Sequence, residues 1–310
     1  MPEIKTNQQL KEGCAKCLKY FGIFKYPLTP EEIHTFNPME ASMENVQAAL
    51  EELLVEEIVF KHDGFFMLQD QAAWAEERKR GNRRAYALLD RSKKFVRIIA
   101  SFPFVRAIAI SGSLSKFYAS KNPDIDYFII TRANRLWIAR TFLHLFKKLT
   151  FLIGHEHYYC MNYFVDTGAL LNQNQNLYGA IETVTLLPVY NKEMILEYAE
   201  MNDWSRNFLP NHPGIKNFQY LIKNRKRPLK SVLEALMNIL FPDYMNRFWM
   251  KVTDRKWRKK WERHNYSEED YERAFQTEIH ISKNHPDDYE KKVLQSLENE
   301  TQKQTQKQSL

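Results

Sequence analysis

No apolar run along the 310 residues reaches about 18, the length a helix needs to span a bilayer, so no membrane span is expected and no membrane is expected among the partners. The opening residues, MPEIKTNQQLKEG, lack the apolar centre of a signal peptide. There are only 3 cysteines. Cys14 and Cys17 form a C-x-x-C on an expected helix and Cys160 stands apart, one thiolate short of the usual four zinc ligands. Free, buried thiols in a reducing cytoplasm are the expectation. Between Ser42 and Phe60 there is neither lysine nor arginine. The last residues, TQKQTQKQSL at 301–310, carry almost nothing apolar and are expected to be disordered.

What is present suits two or three small domains with cores of their own. The net charge of +7 is unevenly spread: residues 216–263 hold 14 Lys or Arg against 4 Asp or Glu, a local +10, which leaves −3 for the remainder.

Residues 1–70 read as three helices followed by a hairpin. CAKCLKYFGIF is apolar at helical spacing. Thr29, Pro30 and Glu32 make a capping box with proline at the first helical position. Ser42 opens a helix with Val46, Leu50, Leu53 and Leu54 on one face, and Asp63-Gly64 marks a tight turn between two short strands. This order is a winged-helix-like pattern. Its third helix carries Glu44, Glu51, Glu52, Glu56 and Glu57, so phosphate would be repelled, and a packing or partner-docking unit is expected rather than a DNA reader.

Residues 71–198 begin with a helical stretch that has a possible break at Gly81, and then alternate strand and helix. VRAIAIS, DIDYFIIT and EHYYCMNYFV read as strands and RLWIARTFLHLFKKLTFL as a helix, an α+β arrangement. Residues 199–300 read as helical and basic.

The chemistry concentrates in ISGSLSKFYASKNPDIDYFII. In a strand, residues two apart share a side, so Asp124 and Asp126 project together and Ile125 points away. Two close carboxylates stay ionised most readily around a cation, and Mg²⁺ takes such oxygens and shares them with phosphates. Gly112 permits close backbone approach to a phosphate, and Ser113 offers a hydroxyl and an N–H.

The Gly-Ser pair followed about ten residues later by Asp-apolar-Asp resembles the signature of the nucleotidyltransferase superfamily, the DNA polymerase beta-like fold. The match spans about twenty residues within a domain of about 85–191. The preceding winged-helix-like unit and CMNYFV also resemble a bacterial group of nucleotidyltransferase-like proteins. The resemblance implies a mixed sheet with flanking helices. Gly112 and Ser113 would hold the phosphates of a nucleoside triphosphate, and Asp124 and Asp126 would bind Mg²⁺. A hydroxyl acceptor (small molecule, RNA or protein) would attack the α-phosphorus, releasing pyrophosphate. A nucleotide-binding or interaction module without catalysis, and an RNA-binding protein, are the alternatives.

The superfamily supplies a third acid from a neighbouring strand. With strict alternation, Cys160, Asn162, Phe164 and Asp166 share one face, so the third position falls to Asp166 or, mid-strand, to the amide of Asn162. Glu156 lies in the approach to that strand. His155 and His157 make a lone H-x-H, and Lys116 and Lys121 fall in the loop before the aspartates; packing or solvation is the default for these, and a capping or buried hydrogen-bond role for Glu182 on its apolar helix. In the basic region, Trp257 and Trp261 lie four apart on one helical face. With their cations they suit either nucleic acid, through residues 216–263, or inward packing.

Overall fold

The computed structural model describes residues 2–150, 152, 154, 156–225, 227–262 and 266–296. His155 and the expected disordered tail at 301–310 lie outside them. Among the described residues, no helix is long and apolar enough to cross a membrane.

Helices α1 (Pro2–Gly22), α2 (Pro30–Phe36) and α3 (Met43–Val55) precede a hairpin of β1 (Phe60–His62) and β2 (Phe65–Met67), in the expected order. The capping box forms: Thr29 Oγ1 accepts from the Glu32 N–H at 3.3 Å, and Glu32 Oε2 from the Thr29 N–H at 3.0 Å. Asp63 and Gly64 take φ of +52° and +84°, the paired left-handed residues of a twist-matched hairpin turn. Cys14 and Cys17 are buried and free. Burial pushes the Cys14 thiol up to about 11, so it stays protonated.

This unit does not close a core alone. Its apolar centre is shared with Ala180, Ile181, Leu209 and Val293 from far along the chain. Helix α4 (Ala72–Ile99) fastens it to the remainder of the protein. Arg78, stacked 3.6 Å from the Tyr26 ring centre, donates to Glu32 Oε1 at 2.6 Å and to the Pro27 carbonyl at 3.0 Å. The break considered at Gly81 does not occur, because that glycine serves close packing: a Cβ there would meet the Tyr118 ring at 2.3 Å.

The chain beyond α4 builds a five-stranded mixed sheet with flanking helices, an α+β architecture. The strands are β3 (Val105–Ile110), β4 (Asp126–Thr131), β5 (Cys160–Asp166), β6 (Leu187–Tyr190) and β7 (Ile281–Lys283), in the order β6-β3-β4-β5-β7. Only β4 and β5 run parallel, as expected for strands joined through a helix, here α6 (Leu136–Thr150). A one-turn helix, α5 (Gly112–Ser115), follows β3, while α7 (Leu177–Val184) and α8 (Lys192–Met201) flank β6. Helices α9 (Pro228–Leu240), α10 (Asp243–Trp261) and α11 (Glu268–Ala274) come before β7.

Alternation sorts the two faces. Ile108, Ile110, Ile125, Tyr127 and Ile129 pack under α4 and α6, while Ala107, Ala109, Phe128 and Ile130 meet Ile195 and Tyr198 of α8. The region 199–300 is therefore not wholly helical. A three-residue strand carries too little periodicity to be seen in sequence, yet β7 pairs antiparallel with β5 and finishes the sheet edge.

Candidate functional site

The Gly-Ser turn and the aspartates meet at one end of β3 and β4. The Ser111 N–H donates to the Asp126 carbonyl at 3.0 Å, which pins the turn to the first residue of β4. Gly112 then takes φ +67°, and a Cβ on it would lie 3.0 Å from Asp126 Oδ2. Both the positive φ and the close approach favour glycine. The neighbour it accommodates is the carboxylate itself.

Asp124 lies two residues before β4 rather than within it as expected, and is exposed, with His157 Nδ1 at 2.8 Å from its Oδ1. Between the two aspartates Ile125 is wholly buried, and its N–H donates to the His157 carbonyl at 3.1 Å. Burial pushes Asp126 up to about 6, with the charges of Asp124 and Glu182 acting in the same direction. The two aspartates therefore lie within electrostatic reach of each other. The free protein holds unfavourable negative charge here, which a cation would relieve.

The β5 side chain that reaches Asp126 is Asn162. Its Nδ2 donates to Asp126 Oδ1 at 2.9 Å. Strict alternation along β5 fails at this residue. Asp126 and Tyr127 pair with Cys160 and Met161, but Phe128 pairs with Tyr163, leaving Asn162 as the extra residue of a β-bulge. A bulge re-aims one side chain and inverts the face of everything after it. The expectation that Asp166 shares a face with Asn162 is corrected on that ground, and Asp166 does not join Asp124 and Asp126 at their end of the sheet.

Asp166 pairs with Thr131, at the opposite end of β4 from Asp126. It is fully buried, accepts from the N–H groups of Asn134 (2.9 Å) and Gly168 (2.8 Å), and lies 2.9 Å from His280 Nδ1. It ties together the chain turns at that end of the sheet.

Ser113 is exposed, but α5 is only 4 residues long, too short for an appreciable helix dipole. Lys116, expected to be solvated, and Glu182, expected to cap or hydrogen-bond locally, form an ion pair at 2.8 Å, and Lys116 Nζ also donates to the Gly112 carbonyl at 3.1 Å. Lys116 thereby braces the turn. Sequence offered no signal for this pair, since its members come from segments 66 residues apart. Lys121 is exposed in the loop, and Glu156 is the first residue of a 3₁₀ turn ahead of β5. The Cys160 thiol is pushed up to about 12, chiefly by burial and then by Asp126, so it is a neutral wall of the site.

Among the described residues no group of three or more His, Cys, Asp or Glu side chains is arranged as a metal cage. Mg²⁺ usually takes one or two carboxylates from a protein, with substrate phosphates and water completing its coordination. The basic region resolves differently. Trp257 is buried with Tyr271 and Phe275, and Trp261 stacks on Phe275 at 5.1 Å, so these rings pack inward. Comparisons with protein-family models, with curated proteins and with solved structures found no match.

Proposed function

We propose that the chain binds a nucleoside triphosphate as its Mg²⁺ complex, at the Gly112–Ser113 turn and the Asp124–Asp126 pair, and transfers the nucleoside monophosphate to a hydroxyl acceptor. The setting is the reducing cytoplasm, where the free thiols persist. The observation that supports this reading best is Gly112, held at positive φ with its backbone against the Asp126 carboxylate. A phosphate-approaching turn and a cation-seeking pair thus form one surface. Asp124 and Asp126 would hold the ion, which when bound supplies neutralisation of the phosphate charge. The backbone of the turn and the Ser113 hydroxyl would orient the phosphates, with Lys116 and Glu182 bracing the turn.

Asn162 favours a second reading. An amide cannot take a proton from the acceptor at neutral pH, so the site as built binds nucleotide without a base on β5. A nucleotide-sensing module is that reading, and one experiment separates the two. Equilibrium binding of each of the four nucleoside triphosphates is measured with and without Mg²⁺, and pyrophosphate release is followed with cell extract as the acceptor pool. Mg²⁺-dependent binding with release supports transfer, and binding with silence supports sensing. No binding of any triphosphate, or binding unchanged in Asp124→Asn/Asp126→Asn, would sink both.

A further inference from the structure

Helix α9 is inverted. Its polar side chains face the protein: Glu234 accepts from Arg106 Nη1 and Nη2 at 2.8 and 2.7 Å and from the Phe104 N–H at 2.7 Å. Lys230 Nζ donates to the Val105 carbonyl at 2.5 Å, and Asn238 Oδ1 accepts from Arg135 Nε at 2.9 Å. These contacts fix which way the helix faces. Its aliphatic residues Leu229, Val232, Leu233, Leu236, Ile239 and Leu240 are all exposed, Ile239 to 78% and Leu229 to 71%. No residue of α9 is buried. Amphipathic helices normally point the other way, and an aliphatic stripe this long in water marks a contact surface.

The patch continues past the helix. Tyr244 and Phe248, at the start of α10, are exposed. On α6, Phe142 meets the Phe241 ring at 5.8 Å, and Leu145 and Leu149, one and two turns on, are exposed. Along α10 the exposed face then turns cationic, with Arg247, Lys251, Arg255 and Lys259 at four-residue spacing. None of these four forms an ion pair among the described residues. The nearby acids Glu234, Asp243 and Asp254 are already paired with Arg106, Arg135 and Arg258.

We propose that α9 and the outer face of α10 dock on an anionic lipid surface. The aliphatic stripe enters the boundary between headgroups and acyl chains, and the α10 cations meet the headgroup charges. Such docking needs no spanning helix. The charge pattern selects this occupant. A second copy of the chain, joined face to face, would set one cationic border against its twin. Residues 297–310 hold only Leu297 and Leu310 as apolar side chains, too few to cover the stripe. Nucleic acid would engage the cations but leave the leucines in water, and the tryptophans that could stack on bases face Phe275.

The test is flotation of the full chain with vesicles of phosphatidylcholine alone and of an equimolar mixture with phosphatidylserine. The expected result is flotation with the serine-containing vesicles, weakened by salt. Leu236→Glu/Ile239→Glu should lower vesicle affinity by about tenfold or more. Lys251→Glu/Lys259→Glu should erase the preference for phosphatidylserine. All four positions are exposed, and far-UV circular dichroism of each variant should match the parent. Four outcomes would overturn the assignment: no flotation, flotation indifferent to the Leu236 and Ile239 changes, a dimer that those changes dissolve, or capture of single-stranded RNA through Lys251 and Lys259 by a chain that stays off both vesicles.

Discussion

Asn162 Nδ2 donates to Asp126 Oδ1 at 2.9 Å, across a β-bulge that leaves Asn162 without a register partner on β4. An amide here donates to a carboxylate that burial already disfavours. It holds the carboxylate in place without adding charge. Asn162→Asp should therefore lower the metal-free melting temperature by several degrees, since a third negative charge replaces a hydrogen-bond donor. Mg²⁺ should restore more of the loss in the variant than it adds to the parent, and any pyrophosphate release should increase. A melting temperature indifferent to Mg²⁺ in both proteins would argue against a cation at this pair.

Asp166 gives the opposite contrast. Its Oδ1 accepts from the Gly168 N–H and its Oδ2 from the Asn134 N–H, so an amide could serve only one of them. Asp166→Asn should cost roughly 1–3 kcal/mol, measured by denaturant titration. Triphosphate affinity should be unchanged. A loss of nucleotide binding with stability intact would return Asp166 to the site.

The pH response of Asp126 has a definite sign. Its proton affinity is raised from the ordinary 3.8 to about 6, so between those values the folded state holds more protons than the unfolded one. Stability in chelator should fall as pH rises through this window, and the deficit, on the order of 2–3 kcal/mol, should persist at neutrality. Asp126→Asn should consequently be more stable than the parent at pH 7 without metal and equal to it near pH 4, while losing Mg²⁺-dependent triphosphate binding. A destabilised variant at neutral pH would show that the carboxylate has a structural role.

His212 moves stability the other way. Burial, reinforced by Arg206 and Lys216, pushes its imidazole down to about 4, and its Nδ1 accepts from the Gly214 N–H at 3.0 Å. The unfolded chain binds the proton more readily, so this part of the stability is present above about 6.5 and is lost as pH falls toward 4. His212→Asn retains an acceptor for the Gly214 N–H but cannot titrate. The slope of unfolding free energy against pH between 4 and 6.5 should be shallower in this variant. An unchanged slope would place the acid sensitivity elsewhere, His285 being next, since burial lowers it in the same way.

Local chemistry was legible along the chain. The capping box at Thr29, the turn at Asp63-Gly64, the strand starting at Val105, the strand read from Asp124 that begins two residues later, and the burial of Ile125 between its flanking aspartates each depend on residues a few positions apart. Short-range sterics and period-two alternation determine such features wherever the chain ends up. Inward packing of Trp257 and Trp261 was one of two readings left open by helical spacing, because a helix face does not say what it meets.

Tertiary structure decided everything that needed a distant partner. The bulge at Asn162 exists because β5 runs in register with β4, and that one extra residue moved Asp166 to the other face. The Lys116–Glu182 pair and the pairing of β7 with β5 join segments widely separated in sequence. The stripe on α9 reads in sequence as an ordinary amphipathic helix, whose apolar side would be expected to face the core. Arg106, Arg135 and the Val105 carbonyl bind its polar side instead, and this leaves the leucines outside. Periodicity sets that a helix has two faces; the buried polar groups awaiting it decide which one turns inward.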